Sequence, residues 1–163
     1  MITPRPIDET DIAWVHALNE RHAVELSSLS RARLVELVGR AAYAKAIDEE
    51  AAFLLAFDQD ADYDSPNFLW FRDQFPRFLY VDRIAVSDGH RGKGLARRLY
   101  EDLFRAAAEL AHSLVVCEVN ADPPNPASDA FHEALGFAVV GAARLEAREK
   151  SVRYLKRDLT VAR

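Results

Sequence analysis

The stretch Arg91-Gly92-Lys93-Gly94-Leu95-Ala96 decides the fold of this chain. Residues 78–86, just before it, are apolar at both parities, which predicts a central strand covered on both faces. Residues 94–111, just after it, place leucine and alanine at helical spacing, which predicts an amphipathic helix. A glycine-rich turn from a strand into a helix presents unpaired backbone N–H groups, and the helix dipole adds partial positive charge. The stretch is therefore predicted to cradle a diphosphate.

Two common phosphate-binding motifs do not fit this turn. Gly89, Gly92 and Gly94 stand in the wrong order for G-x-G-x-x-G, and G-x-x-x-x-G-K-[ST] is absent. The remaining pattern is R-x-x-G-x-A, which follows a strand that ends at Val86. This pattern resembles the coenzyme A site of the GCN5-related N-acetyltransferases.

Length and composition favour a single globular domain over residues 1–163. The net charge of −5 argues against a general nucleic-acid binder and is weakly favourable for cationic substrates. The single Cys117 excludes an internal disulfide framework and a cysteine-based zinc site, and we expect no metal. Without a signal-peptide pattern or an apolar run of membrane-spanning length, we expect a cytoplasmic protein that has no contact with membranes. The oligomeric state is left open, a homodimer included.

The segment before the cradle reads as one strand, two helices and a second strand. We expect an edge strand in residues 2–7 and a buried strand in residues 51–57. The first helix would be capped by Asp8 or Thr10 and end near Glu25, and the second would be capped by Ser28 or Ser30 and end near Asp48.

Residues 58–67 carry alternating aspartates that imitate the first half of an EF-hand loop. The match fails where Tyr63 replaces the required glycine and where Leu69 replaces the bidentate glutamate. Two interpretations remain, a solvated acidic turn or a loop that borders the acceptor site and favours a protonated amine. The aromatic residues 67–75 predict a strand or an irregular lid.

After the cradle helix, residues 114–119 predict a buried strand, which completes a right-handed parallel strand-helix-strand unit. A proline-rich turn follows in residues 120–126. Asn125 can cap a short helix over residues 127–135, with Pro126 in its first turn. Residues 137–145 and 151–159 predict two closing strands.

This order of elements is similar to the N-acetyltransferase fold over nearly the whole chain. The resemblance implies a mixed, mostly antiparallel central sheet with a splayed parallel strand pair and about four flanking helices. Two further segments support it. Residues 125–137 resemble the family's asparagine, short helix and Gly-Phe ending, with His132 in the place usual for tyrosine. Cys117-Glu118-Val119 resembles the acidic strand segment of protein N-terminal acetyltransferases.

The resemblance implies an enzyme that moves an acetyl group from acetyl-CoA to a primary amine by direct transfer in a ternary complex. The acceptor would be a small molecule or a protein N-terminus. A different acyl-CoA donor and a CoA-binding regulatory module without turnover are the alternatives. In the family pattern the pyrophosphate would bind the N–H groups of Arg91, Gly92, Lys93, Gly94, Leu95 and Ala96. The pantetheine arm would pair with Ile84, Ala85 and Val86, and an N–H near Val86 would polarise the thioester carbonyl. Asn125 would hold the pantetheine or orient the short helix, with Asn120 as the alternative.

The chemistry needs a neutral amine, and an amine with a lysine-like pKa near 10.4 is mostly protonated at neutral pH, so a base is useful. Glu118 and Asp82 are the candidate bases, with Glu118 preferred; the alternative role for either is to pair with Arg83 or another cation. His132 is the candidate proton donor to the leaving thiolate, or else a capping or surface residue. A nucleophilic Cys117–His132 pair is disfavoured, because a lone cysteine in an apolar strand is usually core.

Overall fold

The computed structural model describes residues 2–159, which form a seven-stranded sheet in the order β1-β2-β3-β4-β5-β7-β6. The strands are β1 (Arg5–Pro6), β2 (Tyr43–Ile47), β3 (Ala52–Asp58), β4 (Leu79–Val86), β5 (Leu114–Asp122), β6 (Ala138–Leu145) and β7 (Lys150–Asp158). The α-helices are α1 (Ile12–Arg21), α2 (Ala23–Leu26), α3 (Arg31–Arg40), α4 (Pro66–Gln74), α5 (Leu95–Glu109) and α6 (Pro126–Ala134). Only β4 and β5 are parallel neighbours in this described sheet. The predicted mixed sheet with one parallel pair is confirmed, with more helices than expected.

Both faces of the sheet are covered, and β3 shows why its sequence is apolar at both parities. Phe53 and Phe57 pack on one face with α1, α3 and α4, whereas Leu54 and Ala56 pack on the other face with α5. Because successive side chains of a strand point to opposite faces, a continuous apolar run is required here. None of the helices within residues 2–159 has both the length and the apolar content needed to cross a membrane.

The parallel pair opens into a wedge. β4 and β5 pair only at Leu79 with Val115 and at Tyr80 with Val116, although both strands continue well beyond those residues. On their other sides, β4 remains paired with β3 and β5 with β7. Residues 81–86 therefore present backbone groups that have no strand partner on the side of the wedge.

The second helix is shorter than predicted. α3 begins after Ser30, whose side chain accepts a hydrogen bond from the Arg33 N–H, and it ends at Arg40 instead of near Asp48. Residues 43–47 form β2, which lies between β1 and β3. Alanine and lysine in this segment favour a helix by intrinsic propensity, but pairing on both edges and burial of Tyr43 and Ile47 outweigh it.

The aromatic segment is also not as predicted, because it forms helix α4 in place of a strand or an irregular lid. Pro66 occupies its first turn, where a missing N–H costs nothing. Phe68 and Phe71, three residues apart, lie on one face and are fully buried against the sheet. The density of aromatic residues obscured this helical period in the sequence.

Candidate active site

A cavity of about 810 Å³ opens in the wedge between β4 and β5. It is lined by nearly all of the residues that the sequence nominated: Asp82, Ile84, Ala85, Val86, Arg91, Gly92, Gly94, Leu95, Ala96, Glu118, Asn125 and His132. Lys93 is placed elsewhere, in a neighbouring depression of about 290 Å³ that it shares with Arg97 and Arg98. The fold thus brings one end of β4, the first turn of α5, the middle of β5 and α6 around a common space.

The cradle has the backbone conformation that its glycines suggest. Gly92 has φ 78° and Gly94 has φ 74°, values in the left-handed region that favours glycine. Gly94 caps α5 without a side-chain hydrogen bond, and the first turn of the helix carries no acidic residue. The first N–H groups of α5 are therefore available to an anion at the mouth of the cavity.

These features fit acetyl-CoA, the co-substrate that the resemblance implies. The free edge of β4 offers donors and acceptors to an extended chain that carries amides, in the way that a sheet edge accepts an added strand. The helix N-terminus offers charge and N–H donors to phosphates. Asn125 accepts a hydrogen bond from the Ser128 N–H at 3.2 Å and so caps α6 while also lining the cavity.

Glu118 lies on β5 with its carboxyl group enclosed. Its Oε1 accepts a hydrogen bond from Asn67 Nδ2 at 3.0 Å. Among the described residues, no group hydrogen-bonds to its buried Oε2, and the nearby Tyr80 hydroxyl is likewise without a partner. Burial raises the pKa of Glu118 to about 7 and the negative charge of Asp82 adds to the rise, while the Asn67 hydrogen bond opposes it. A carboxylate with this pKa can accept a proton at neutral pH.

Asp82 is bound to its neighbours. Its carboxylate lies 2.7 Å from Arg83 Nε and accepts a hydrogen bond from the Tyr63 hydroxyl at 2.7 Å. Arg83 also donates to Asn19 Oδ1 at 2.8 Å, so the ion pair is held from both sides. The pairing with Arg83 that the sequence left open is present, and it leaves Glu118 the less committed of the two carboxylates.

Asn67 and Tyr154 complete the surroundings of Glu118, and sequence reasoning missed both. The Tyr154 hydroxyl donates to Asn67 Oδ1 at 2.9 Å, so the amide must present its Nδ2 donor to Glu118. Trp70 stacks on Tyr154 with ring centroids 4.2 Å apart, and Gly141 leaves room for Trp70. The only signal in the sequence was Ser65-Pro66, a helix start that would have placed Asn67 in a first turn.

The variant Asn67→Leu should move the pH dependence of the reaction. Loss of the donor to a carboxylate raises the pKa of Glu118 further, so the rising limb of kcat/KM should shift upward by about one to two pH units. The rate at high pH should be largely retained. Tyr154→Phe, which keeps the amide but frees its orientation, should shift the limb less. A limb that stays in place in both variants would show that this amide does not act on the base.

His132 and Tyr100 form a second polar pair in the cavity wall, and the sequence gave no sign of Tyr100. His132 Nδ1 lies 2.7 Å from the Ser128 carbonyl oxygen, an acceptor only, so this nitrogen carries the proton. His132 Nε2 therefore accepts from the Tyr100 hydroxyl at 3.3 Å. Burial lowers the pKa of His132 and raises the pKa of Tyr100, so both are neutral at pH 7. Burial also raises the pKa of Cys117, which makes a thiolate nucleophile there unfavourable.

The aspartate-rich loop does not supply acidic side chains to the cavity. Asp64 lies 3.4 Å from Arg33, and the Asp62 carbonyl oxygen accepts from Arg40 at 3.2 Å. Tyr63, between them, does line the cavity and binds Asp82. The loop therefore borders the site through one aromatic residue, while its aspartates face solvent or arginines.

The fold and the wedge define a CoA-dependent acyltransferase architecture, and comparison with known families agrees. The model of the Acetyltransferase (GNAT) family matches residues 36–137, more than half of the chain. The chain belongs to this family, which confirms the resemblance found in the sequence.

Individual relatives are more distant. The chain is 28% identical over 116 residues to the L-2,4-diaminobutyric acid acetyltransferase of Wolinella succinogenes; the match covers 64% of this chain and 65% of that protein. The matched region thus spans just under two thirds of that relative. The ribosomal-protein-S18-alanine N-acetyltransferase from Escherichia coli superposes with a TM-score of 0.74 at 18% identity, over 100% of this chain and 97% of that one. The structure of yncA from Salmonella typhimurium with its cofactor acetyl-CoA gives 0.71 at 19% identity, over 100% and 96%.

Proposed function

We propose that this protein is an acetyl-CoA-dependent N-acetyltransferase that acts on a primary amine by direct transfer. The observation that carries the proposal is the enclosed Glu118 carboxyl group, with a pKa of about 7 and one free oxygen, in a cavity that also contains the cradle. Acetyl-CoA, when bound, supplies an acetyl group activated as a thioester.

The binding roles follow from the edges of the wedge. The N–H groups of Gly92, Gly94, Leu95 and Ala96 would hold the pyrophosphate, with Arg91 as the nearby cation. The free edge at Ile84, Ala85 and Val86 would hold the amide-bearing arm. Asn125 would keep α6 in place, and Asn120 also lines this space.

Glu118 would take the proton from the acceptor ammonium, which makes the nitrogen lone pair available. Its Oε2 is the free oxygen, while Asn67 fixes the orientation of Oε1. Asp82 would act through its charge on Glu118, because its own oxygens are engaged by Arg83 and Tyr63.

The Tyr100–His132 pair would place a hydroxyl proton at the wall where a thiolate leaves. Because His132 Nε2 is an acceptor, the donor on this side is Tyr100 in place of the imidazole itself. A thiolate is a fairly good leaving group, so we expect this contribution to be smaller than that of the base.

A double-mutant cycle checks this pair. His132→Phe and Tyr100→Phe should each lower kcat about tenfold, and the double variant should be no slower than the worse single variant, since the two groups act as a unit. The acetyl-CoA KM should change little. Fully additive losses, or two single variants with normal kcat, would rule out a functional pair.

The activity itself is tested by incubating the protein with acetyl-CoA and a panel of diamines, amino acids and N-terminal peptides. Mass spectrometry should detect an acetylated amine and a stoichiometric amount of CoA thiol. Binding of acetyl-CoA without transfer to any acceptor would favour the regulatory module, and transfer only from a longer acyl-CoA would favour the other donor. A cytoplasmic location and a single domain remain predictions.

A further inference from the structure

The acceptor end of the cavity contains two cations with no acidic partner. Five basic side chains, Arg83, Arg91, Arg97, Arg148 and Lys150, line the cavity. Arg83 pairs with Asp82, Arg91 with Asp88 and Arg97 with Glu101, the last two at 3.3 and 3.9 Å. Within residues 2–159, no carboxylate lies within ion-pair distance of Arg148 or Lys150.

These two cations act on each other. Lys150 is half-buried at the start of β7, and burial followed by the charge of Arg148 lowers its pKa. Glu118 and Glu25 oppose this fall, so they lie within electrostatic range although neither pairs with the ammonium. Like charges placed together in a partly desolvated wall are unfavourable, and an anion between them relieves the repulsion.

Strand register places Lys150 on the same face as the base. Tyr154 pairs with Glu118 and Val152 pairs with Asn120 across the antiparallel β5–β7 ladder. Because side chains alternate along a strand, Lys150, Val152 and Tyr154 share this face. At a rise of about 3.3 Å per residue, the Cα atom of Lys150 lies about 13 Å from that of Tyr154. Val152 is apolar and lines the cavity between them.

We propose that Lys150 and Arg148 bind an anionic group of the acceptor, so that the substrate is an amine that also carries a carboxylate several bonds away. Its ammonium reaches Glu118, its short aliphatic chain lies on Val152, and its carboxylate lies against the two cations. This assignment rests on the proposed acetyl transfer and narrows the acceptor to a small amino acid with a terminal amine. The alternative acceptor, a peptide N-terminus, has no required negative charge at that position.

The test compares acceptors that differ only in the carboxylate. L-2,4-diaminobutyrate and 1,3-diaminopropane share two amines and the same carbon spacing, and 4-aminobutyrate keeps the carboxylate but has one amine. With saturating acetyl-CoA, we expect the KM of both carboxylate acceptors to be about 10- to 100-fold below that of 1,3-diaminopropane, the range of a hydrogen bond to a charged group.

Lys150→Met should raise the KM of the carboxylate acceptors by about tenfold or more and leave that of 1,3-diaminopropane unchanged, and Lys150→Arg should restore it. Lys156→Met removes another cation of β7, one paired with Asp158 outside the cavity, and should change neither KM. Equal effects on all acceptors, or no preference for the carboxylate in the wild type, would overturn the inference.

The same experiment separates this inference from the proposed function. Acetylation of a diamine or an uncharged peptide, without acetylation of the carboxylate amines, would overturn the anion site and leave the acetyltransferase assignment intact. No acetylated product from any amine would overturn both. Thermal melts of each variant establish that it is folded.

Discussion

Replacing Glu118 by glutamine should lower kcat by about 10²- to 10⁴-fold at pH 7, the range typical of a lost general base. In the wild type, kcat/KM should rise with pH and level off above about 7, because only the deprotonated carboxylate accepts a proton. The variant should lose this limb, since the amide does not titrate. Steady-state rates between pH 5.5 and 9 check both statements, and a variant with normal turnover would remove Glu118 from the mechanism.

The same substitution should stabilise the folded protein at alkaline pH. The pKa of Glu118 is raised from 4.5 to about 7 by folding, so its stabilising contribution is complete below pH 4.5 and is lost as the pH rises to 7. Each unit of pKa corresponds to about 1.36 kcal/mol, which gives an upper value of about 3 kcal/mol at pH 8. Glutamine keeps an acceptor for Asn67 and avoids the buried charge. Thermal unfolding should therefore show a higher Tm for Glu118→Gln at pH 8 and little difference near pH 4.5.

Replacing Gly94 by valine should weaken acetyl-CoA binding by about 100-fold or more. A β-branched residue at φ 74° is strained by about 1 to 3 kcal/mol, so the turn before α5 must change its backbone conformation. The change misaligns the N–H donors of the first helical turn, each of which contributes about 1.5 to 3 kcal/mol in a hydrogen bond to a charged group. Calorimetric titration with acetyl-CoA measures the loss.

Gly39→Val is the matched control for this variant. Gly39 is exposed on α3, its backbone is helical, and no atom lies within 4 Å of an added Cβ. Glycine and valine differ by less than about 0.5 kcal/mol in a helix, so neither stability nor binding should change appreciably. Normal acetyl-CoA affinity in Gly94→Val would show that the cradle does not hold the diphosphate.

The sequence predicted those parts of the fold whose local pattern and tertiary environment agree. Strand β4, the glycine turn and α5 form one strong signal, because a two-sided apolar strand, left-handed glycines and a helical apolar stripe are each visible within a few residues. Asn125 and Pro126 likewise predicted the start of α6 from capping chemistry alone.

The errors occurred where distant partners determine local structure. Residues 43–47 become β2 only because β1 and β3 lie on either side, and no short-range pattern reports those neighbours. The helix of residues 66–74 is fixed by burial of Phe68 and Phe71 against the sheet.

The candidate site was predicted as separate residues and not as a network. Motif residues such as Glu118 and His132 could be named from the sequence, yet their partners Asn67, Tyr154 and Tyr100 come from elements 32 to 87 residues away along the chain. The pKa of Glu118 depends on this enclosure, so only the folded arrangement distinguishes it from Asp82.

The central claim is that the wedge between β4 and β5 and the cradle at its mouth bind acetyl-CoA. Titration of ¹⁵N-labelled wild-type protein with CoA tests it residue by residue in solution. The account predicts saturable shifts at one equivalent, largest for the backbone amides of residues 84–86 and 91–96. Unchanged amide signals in both segments at millimolar CoA, or shifts confined to another surface, would contradict it.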